Sequence, residues 1–269
     1  MIGALRKYFG GNLHRLRSKQ VLRKVLARET NFSALEDWER SLSDPTSYYL
    51  DCVRYFHRSQ FPDELKMHRE YFLQDQRGFG EDAFHVMWWM LFRKLRPNQF
   101  LEIGVYRGQT LSLAAMLQND LGITGHITGI SPFTSSGDAV SSYRNDVDYL
   151  ADTKTNFAHF ALPEPDLVQA FSTDSAACER IKEELWDAIY IDGNHDYEVA
   201  RTDWGLCAEQ VRTGGIIVLD DSAVDTAYRP PAFATAGHPG PSRVAREVDQ
   251  ARFREILRVG HNRVFQRTA

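Results

Sequence analysis

Residues 100–112 read FLEIGVYRGQTLS: a short apolar run, a turn holding Gly104 and Gly108, and the start of an amphipathic segment. A glycine directly after an apolar strand lets the backbone turn tightly and approach a ligand. A second glycine four residues later opens a helix whose free N–H groups favour an anionic or polar group. The spacing is Gly-x-x-x-Gly, with Glu102 two residues before the first glycine. Dinucleotide binders use the three-glycine turn Gly-x-Gly-x-x-Gly to admit a pyrophosphate, so a nicotinamide cofactor is the weaker reading of this loop.

Working outward, the chain alternates between the two periodicities. QTLSLAAMLQND (109–120) is helical, GHITGIS (125–131) a strand, LVQAFST (167–173) a weaker strand and SAACERIKEEL (175–185) a helix. WDAIYID (186–192) is again a strand, YEVARTDWGLCAEQV (197–211) a helix and GGIIVLDD (214–221) a strand. Nearly continuous apolar strands separated by helices predict an α/β fold: a doubly wound, mostly parallel Rossmann-like sheet covered on both faces. SRVAREVDQ (242–250) reads as a helix, and FREILRVG and NRVFQRT as a C-terminal hairpin. Residues 1–80 show no strand and read as a helical appendage punctuated by Pro45 and Pro62 and closed by RGFG (77–80), leaving 81–269 as the α/β domain. The proline-rich connection 222–242 is longer than an ordinary loop and predicts either a wall of the site or a disordered insertion.

The composition is that of a globular protein, with 43% apolar and 25% charged residues among 269. A net charge of -4 gives no electrostatic reason to expect a nucleic-acid partner. Residues 1–28 are the exception, with eight Lys or Arg and no acid. Their recurring Leu and Val predict a basic amphipathic helix that packs on the domain, makes a homo-oligomer contact or touches a membrane surface. Cys52, Cys178 and Cys207 are far apart and odd in number, which suits reduced thiols in a cytoplasmic protein.

The chemistry concentrates at the ends of the later strands. IYIDGNHDY (189–197) and GGIIVLDD end in Asp192 and in Asp220 with Asp221. In a sheet of order 3-2-1-4-5 these two strands are neighbours, about 4.8 Å apart, and the ligand crevice opens beside them where the strand order reverses. Three carboxylates so close repel one another unless a cation sits among them. All-oxygen ligation favours a hard divalent ion, Mg²⁺ first, over zinc. The alternative is that Asp192 and Asp220 cap the segments that follow. His195, three residues beyond Asp192, is placed to take a proton at neutral pH, or else to fasten its loop or ligate the ion. His85, on an apolar helix, reads as a core residue, whereas His159 and His238 lie in loops that could cover an acceptor.

Taken in order, LEIGVYRGQT (101–110), STDS (172–175), IYIDGNHDY and GGIIVLDD resemble the motifs of class I S-adenosylmethionine-dependent methyltransferases. Within that class the combination is similar to the macrolide-sugar O-methyltransferase and cephalosporin hydroxylase-like subgroup. The resemblance implies that Glu102, Gly104 and Gly108 line the methionine and ribose of S-adenosylmethionine and that Asp174 reaches the adenine amine. It further implies methyl transfer to a hydroxyl of a sugar, glycan or glycosylated small molecule, with Asp192 and His195 catalytic and Asp192, Asp220 and Asp221 holding Mg²⁺. The second strand of the family usually ends in an acid that holds the ribose. Here Ser131 and Pro132 stand there, so either Ser131 with a backbone group suffices or Asp138 reaches back. An NAD-dependent oxidoreductase and a non-catalytic binding module are the rival readings.

Overall fold

The computed structural model describes residues 16–30, 32–141 and 143–269. Helices come first: α1 (16–26), α2 (Ser33–Glu36), α3 (Trp38–Ser43), α4 (Pro45–Phe56), α5 (Asp63–Leu73) and α6 (Asp82–Leu95). Their ends follow local rules. Asp37 and Asp44 accept N–H bonds from Arg40 and Ser47 at the starts of α3 and α4, and Pro45 takes the first turn of α4, where no N–H is needed. Helix α6 stops at Arg96, which is left-handed at φ 50°, just before Pro97.

Then strands and helices alternate: β1 (Gln99–Ile103), α7 (Gln109–Asp120), β2 (His126–Ser131), α8 (Tyr149–His159), β3 (Asp166–Gln169), α9 (Ser175–Lys182), β4 (Trp186–Ile191), α10 (Tyr197–Gln210) and β5 (Val211–Leu219). Helix α11 (Pro239–Arg246) leads into the hairpin β6 (Phe253–Val259) and β7 (Asn262–Arg267). The seven strands lie in the order β3-β2-β1-β4-β5-β7-β6, parallel except where β7 runs antiparallel to both β5 and β6.

Alternate residues of the central strands feed two cores. Phe100, Ala188, Tyr190, Ile216 and Val218 face one side, and Leu101, Ile189, Ile191, Ile217 and Leu219 the other. Each such side chain contributes about 1.5–3 kcal/mol by leaving water, which holds the central strands and fixes their register.

The first core runs without a break from Val25 and Leu35 through α4 and α6 to Phe100 and Val264. A domain boundary at residue 80 therefore has no counterpart in the packing: the N-terminal helices are a layer of the α/β body. Val21, Leu22, Val25 and Leu26 of α1 lie on that core, Ser18 donates to Ala232 O, and Arg17, Lys19, Arg23 and Lys24 are exposed. The apolar residues of 21–26 are thus spent inside the protein while Leu16 stays exposed, and residues 1–15 of the basic segment lie outside the described residues. No helix among the described residues is long and apolar enough to cross a membrane. The 222–242 connection is ordered: Ala223 and Tyr228 are buried, and Ser222 bridges to Gly237.

Candidate active site

Strands β1, β4 and β5 end level with one another because their hydrogen-bond ladder continues one residue past each strand. Gly104 N donates to Ile130 O (2.9 Å), Asp192 N to Ile103 O (2.8 Å) and Asp220 N to Ile191 O (3.0 Å). Gly104, Asp192 and Asp220 are thereby delivered side by side to the carboxyl edge, where strand order reverses. Gly104 has φ 100°, and a Cβ there would lie 1.9 Å from Asp192 O, so glycine is demanded both by conformation and by space.

A cavity of about 580 Å³ opens over this edge. Its floor includes Glu102, Gly104, Ser131, Asp192 and Asp220, and Asp138, His195 and Asp221 close one side. Glu81, Phe84, Thr235, His238 and His261 also line it. Three groups fit a polar cofactor lying against β1. The buried Glu102 Oε2 and Gln109 Nε2 have no hydrogen-bond partner, and Gly104 leaves the backbone bare. Burial pushes the Glu102 carboxyl up to about 8, against the Leu111 N–H that lowers it, so it is poised to meet an ammonium or hydroxyl of a ligand.

Not every cofactor residue expected from the sequence is brought to the cavity. Gly108 caps α7 with φ 79° but its Cα faces Thr153 of α8, where a Cβ would come within 2.8 Å of Thr153 Cγ2, and it shapes the loop from behind. Asp174 is exposed and accepts from its own neighbour Phe171 N (2.9 Å), while Phe171, Ser172 and Thr173 line the cavity instead. An Asp at a helix start is satisfied locally more cheaply than by reaching a ligand. Ser131 is in place at the end of β2. Asp138 lines the cavity with both oxygens already engaged. One oxygen accepts from Val140 N (3.0 Å) and Ser141 N (2.8 Å), and the other takes His195 N (2.8 Å) and His195 Nδ1 (2.6 Å). His159 stacks on Tyr71, away from the cavity.

The carboxylates are interleaved with imidazoles. His195 Nε2 lies 2.8 Å from Asp221 Oδ2, His238 Nε2 3.8 Å from the same oxygen, and His261 Nε2 3.3 Å from Asp220 Oδ1 and 3.8 Å from Asp221 Oδ1. The His261–Asp220 contact is close but off the hydrogen-bond direction, so Asp220 Oδ1 remains without a hydrogen bond. Burial, reinforced by Asp220 and Asp221, holds the Asp192 carboxyl well above the usual range. Burial acts the same way on Asp220, but His261 and Asp192 outweigh it and bring it below its ordinary value. His261 is driven to about 10, since Asp220 more than offsets its burial. His195 is likewise raised to about 9: desolvation disfavours the imidazolium, but Asp221 and Asp138 prevail. With both ring nitrogens on carboxylates, His195 Nε2 offers a lone pair only when its proton leaves the contact with Asp221. The general-base role expected for it does not suit this arrangement.

Sequence reasoning missed His261 and Glu81. The first lies in the tight turn between β6 and β7, and the second just past RGFG; neither belongs to a motif, and only the packing of α6 and the hairpin against β5 brings them to the site.

A family model described as a methyltransferase domain matches residues 101–222, from β1 through the Asp220–Asp221 pair. With the sheet order and the cradle after β1, the match makes this stretch of the chain similar to a methyltransferase domain. Among solved structures, the chain is similar to the S-adenosylhomocysteine-bound methyltransferase PaMTH1 of Podospora anserina (TM-score 0.57, 14% identity, 80% of this chain and 93% of that one). It is similar also to an O-methyltransferase of Bacillus cereus in complex with S-adenosylhomocysteine (0.55, 15%, 87% and 100%). TomG of Streptomyces achromogenes, an O-methyltransferase involved in tomaymycin synthesis and bound to S-adenosylmethionine, gives 0.51 at 15% identity, covering 87% and 99%. These likenesses show the shared fold. A curated relative, the uncharacterized protein R132 of Acanthamoeba polyphaga mimivirus, is 29% identical over 125 residues, 45% of this chain, and the matched stretch spans 50% of that protein's length.

Proposed function

We propose that the protein transfers the methyl group of S-adenosylmethionine to a hydroxyl of a sugar, glycan or glycosylated small molecule, assisted by a divalent cation. The observation that carries this reading is the meeting of Asp192, Asp220 and Asp221 on the floor of the cavity that holds the Gly104 cradle. Glu102, Gln109 and the backbone at Gly104 bind the methionine end, and Ser131 lies at the ribose. Asp220 Oδ1, buried and without a hydrogen bond, fits a hard cation, which Asp192 and Asp221 would help to hold. When bound, such an ion supplies charge that lowers the pKa of a hydroxyl placed beside it.

The chain's own groups do the rest. Asp192 is the proton acceptor beside the cation-binding acids, because burial and Asp220 disfavour its charge and hold its carboxyl well above the usual range. In its ionised form it takes the hydroxyl proton. S-adenosylmethionine held on the Gly104 cradle would supply the methyl group that the oxygen accepts. His195, clasped by Asp138 and Asp221, fixes the loop that carries Asp192.

The test is calorimetry with S-adenosylhomocysteine, then radiolabelled methyl transfer to a panel of glycosylated acceptors with and without EDTA. Asp220→Asn should lower Mg²⁺-dependent turnover while cofactor affinity stays within about threefold, since the cofactor lies against β1. Full turnover in EDTA would remove the cation, and binding of NAD in place of S-adenosylhomocysteine would overturn the reading.

A further inference from the structure

Beside the buried acids lies a second group, more open to the cavity. His195, Asp221 and His238 are each half-buried and offer one ligand atom apiece, all within 4.8 Å of one another. His195 Nε2 and His238 Nε2 both face Asp221 Oδ2, at 2.8 and 3.8 Å, and the two rings lie 4.3 Å apart at their centroids. Around a tetrahedral ion with metal–ligand distances of 2.0–2.1 Å, donor atoms sit about 3.3 Å from one another. The two separations to Asp221 Oδ2 bracket that value, and the whole set lies within 4.8 Å, so modest side-chain shifts would close it.

A second observation points the same way. A metal-binding histidine nearly always gives its other ring N–H to a carboxylate or carbonyl, which fixes the tautomer and aims the remaining nitrogen. His195 Nδ1 is held in this manner by Asp138 Oδ2 at 2.6 Å, and the same oxygen takes the His195 backbone N–H, so the ring cannot turn away. Asp221 also presents its two oxygens to different neighbours: Oδ2 to His195 and His238, Oδ1 to His261. It can therefore serve this group without leaving the buried acids.

We propose that His195 Nε2, His238 Nε2 and Asp221 Oδ2 form an imidazole-bearing site for a borderline divalent ion of the Zn²⁺ or Co²⁺ kind, with Asp138 as its positioning residue. Two nitrogens and one carboxylate select such ions over Mg²⁺, and the open side of the set faces the cavity. The site does not rest on the Mg²⁺ reading above, with which it shares only Asp221.

The experiment is a titration of chelator-treated, untagged full-length protein with Co²⁺, followed by visible absorption and calorimetry, and with Mg²⁺ in parallel. One equivalent of Co²⁺ should bind with a visible d–d band that Zn²⁺ abolishes. His238→Ala, in an accessible loop, should weaken Co²⁺ binding at least tenfold, and Asp138→Asn by about 10- to 100-fold. Asp220→Asn should leave it within threefold. Wild-type Co²⁺ affinity in a folded His238→Ala protein would overturn the proposal. So would loss of Co²⁺ in Asp220→Asn with retention in His238→Ala, which would put the ion among the buried acids. Co²⁺ binding without any Mg²⁺ binding supports this site and counts against the all-oxygen one, so the two readings fail separately.

Discussion

Asp138→Asn is the substitution whose consequences the geometry fixes most tightly. The carboxylate accepts four hydrogen bonds, two on each oxygen, from Val140 N and Ser141 N on one side and from the backbone and ring of His195 on the other. An amide has one oxygen. Whichever way it turns, its NH₂ meets two N–H donors, at a cost of about 1–3 kcal/mol for each donor left unmade. His195 also loses one of the two carboxylates that hold it at about 9, and should titrate lower. The sign follows from the direction of the shift. A histidine raised in the folded state stabilises it fully below its unfolded value of about 6.5 and loses that stabilisation as pH rises through 9. The part of the deficit due to charge, about 1.4 kcal/mol for each unit by which the His195 pKa falls, should therefore be present at pH 6 and fade by pH 9, leaving only the cost of the unmade hydrogen bonds. Urea unfolding at both pH values, with NMR titration of the His195 ring, measures the two parts. An unchanged His195 titration in Asp138→Asn would refute the clasp, and a deficit that does not vary with pH would refute the charge argument.

Three further outcomes test other parts of the molecule. Gly104→Ala should lower stability by roughly 2–5 kcal/mol in thermal unfolding and abolish S-adenosylhomocysteine binding, because its Cβ meets Asp192 O and its φ is positive; unaltered unfolding would mean that the two loops are not in contact. His85, pushed down to about 3 by burial and by Arg69, stays neutral when folded and takes a proton near 6.5 when unfolded, so what it contributes is lost as pH falls from 6.5 toward 3. The stability of His85→Gln should accordingly differ from wild type by an amount that changes by about 1.4 kcal/mol per pH unit between pH 6 and 4 in denaturant melts. Asp187→Ala strands the N–H groups of Asn98 and Gln99 at the start of β1, both 2.8 Å from Asp187 Oδ2, and should cost about 2 kcal/mol by the same assay.

The fold was legible because its signals are local. Apolar strands bounded by glycine or helix, and a helix stopped by Pro97, mark nearly every element, while the strand order follows from what is common to sheets of this kind. Helix α8 between β2 and β3 was not read, since YLADTKTNFAH (149–159) has only a narrow apolar face, Tyr149 and Phe157 being its buried aromatics. That the N-terminal helices share a core with the α/β body was not legible for a different reason: periodicity reports which face of a helix is apolar, not what covers it. At the site, residues that end strands were placed by the sheet itself, which is why Gly104, Asp192 and Asp220 meet as expected. Asp174 and Asp138 were not so placed, because each sits in a loop and loop carboxylates find the nearest backbone N–H.

The acids at the edge of β4 and β5 pose the problem with which the sequence left off: three carboxylates in one place need compensating charge. The chain supplies part of it. His261 answers Asp220, and His195 answers Asp221 and Asp138, so that of the three acids Asp192 is the one whose carboxyl burial holds well above its ordinary value. The imidazoles came from a hairpin turn and from the loop after β4, elements that only the closed sheet brings together. The compensation is also what makes the site sensitive to ions. A cation entering beside Asp220 or Asp221 competes with an imidazolium already there, so metal binding should release protons. Calorimetry of Mg²⁺ or Co²⁺ binding in buffers of different ionisation enthalpy would count them. A net release of zero at pH 7 would mean that the ion displaces neither the His195 nor the Asp192 proton, and that the carboxylates it meets are already bare.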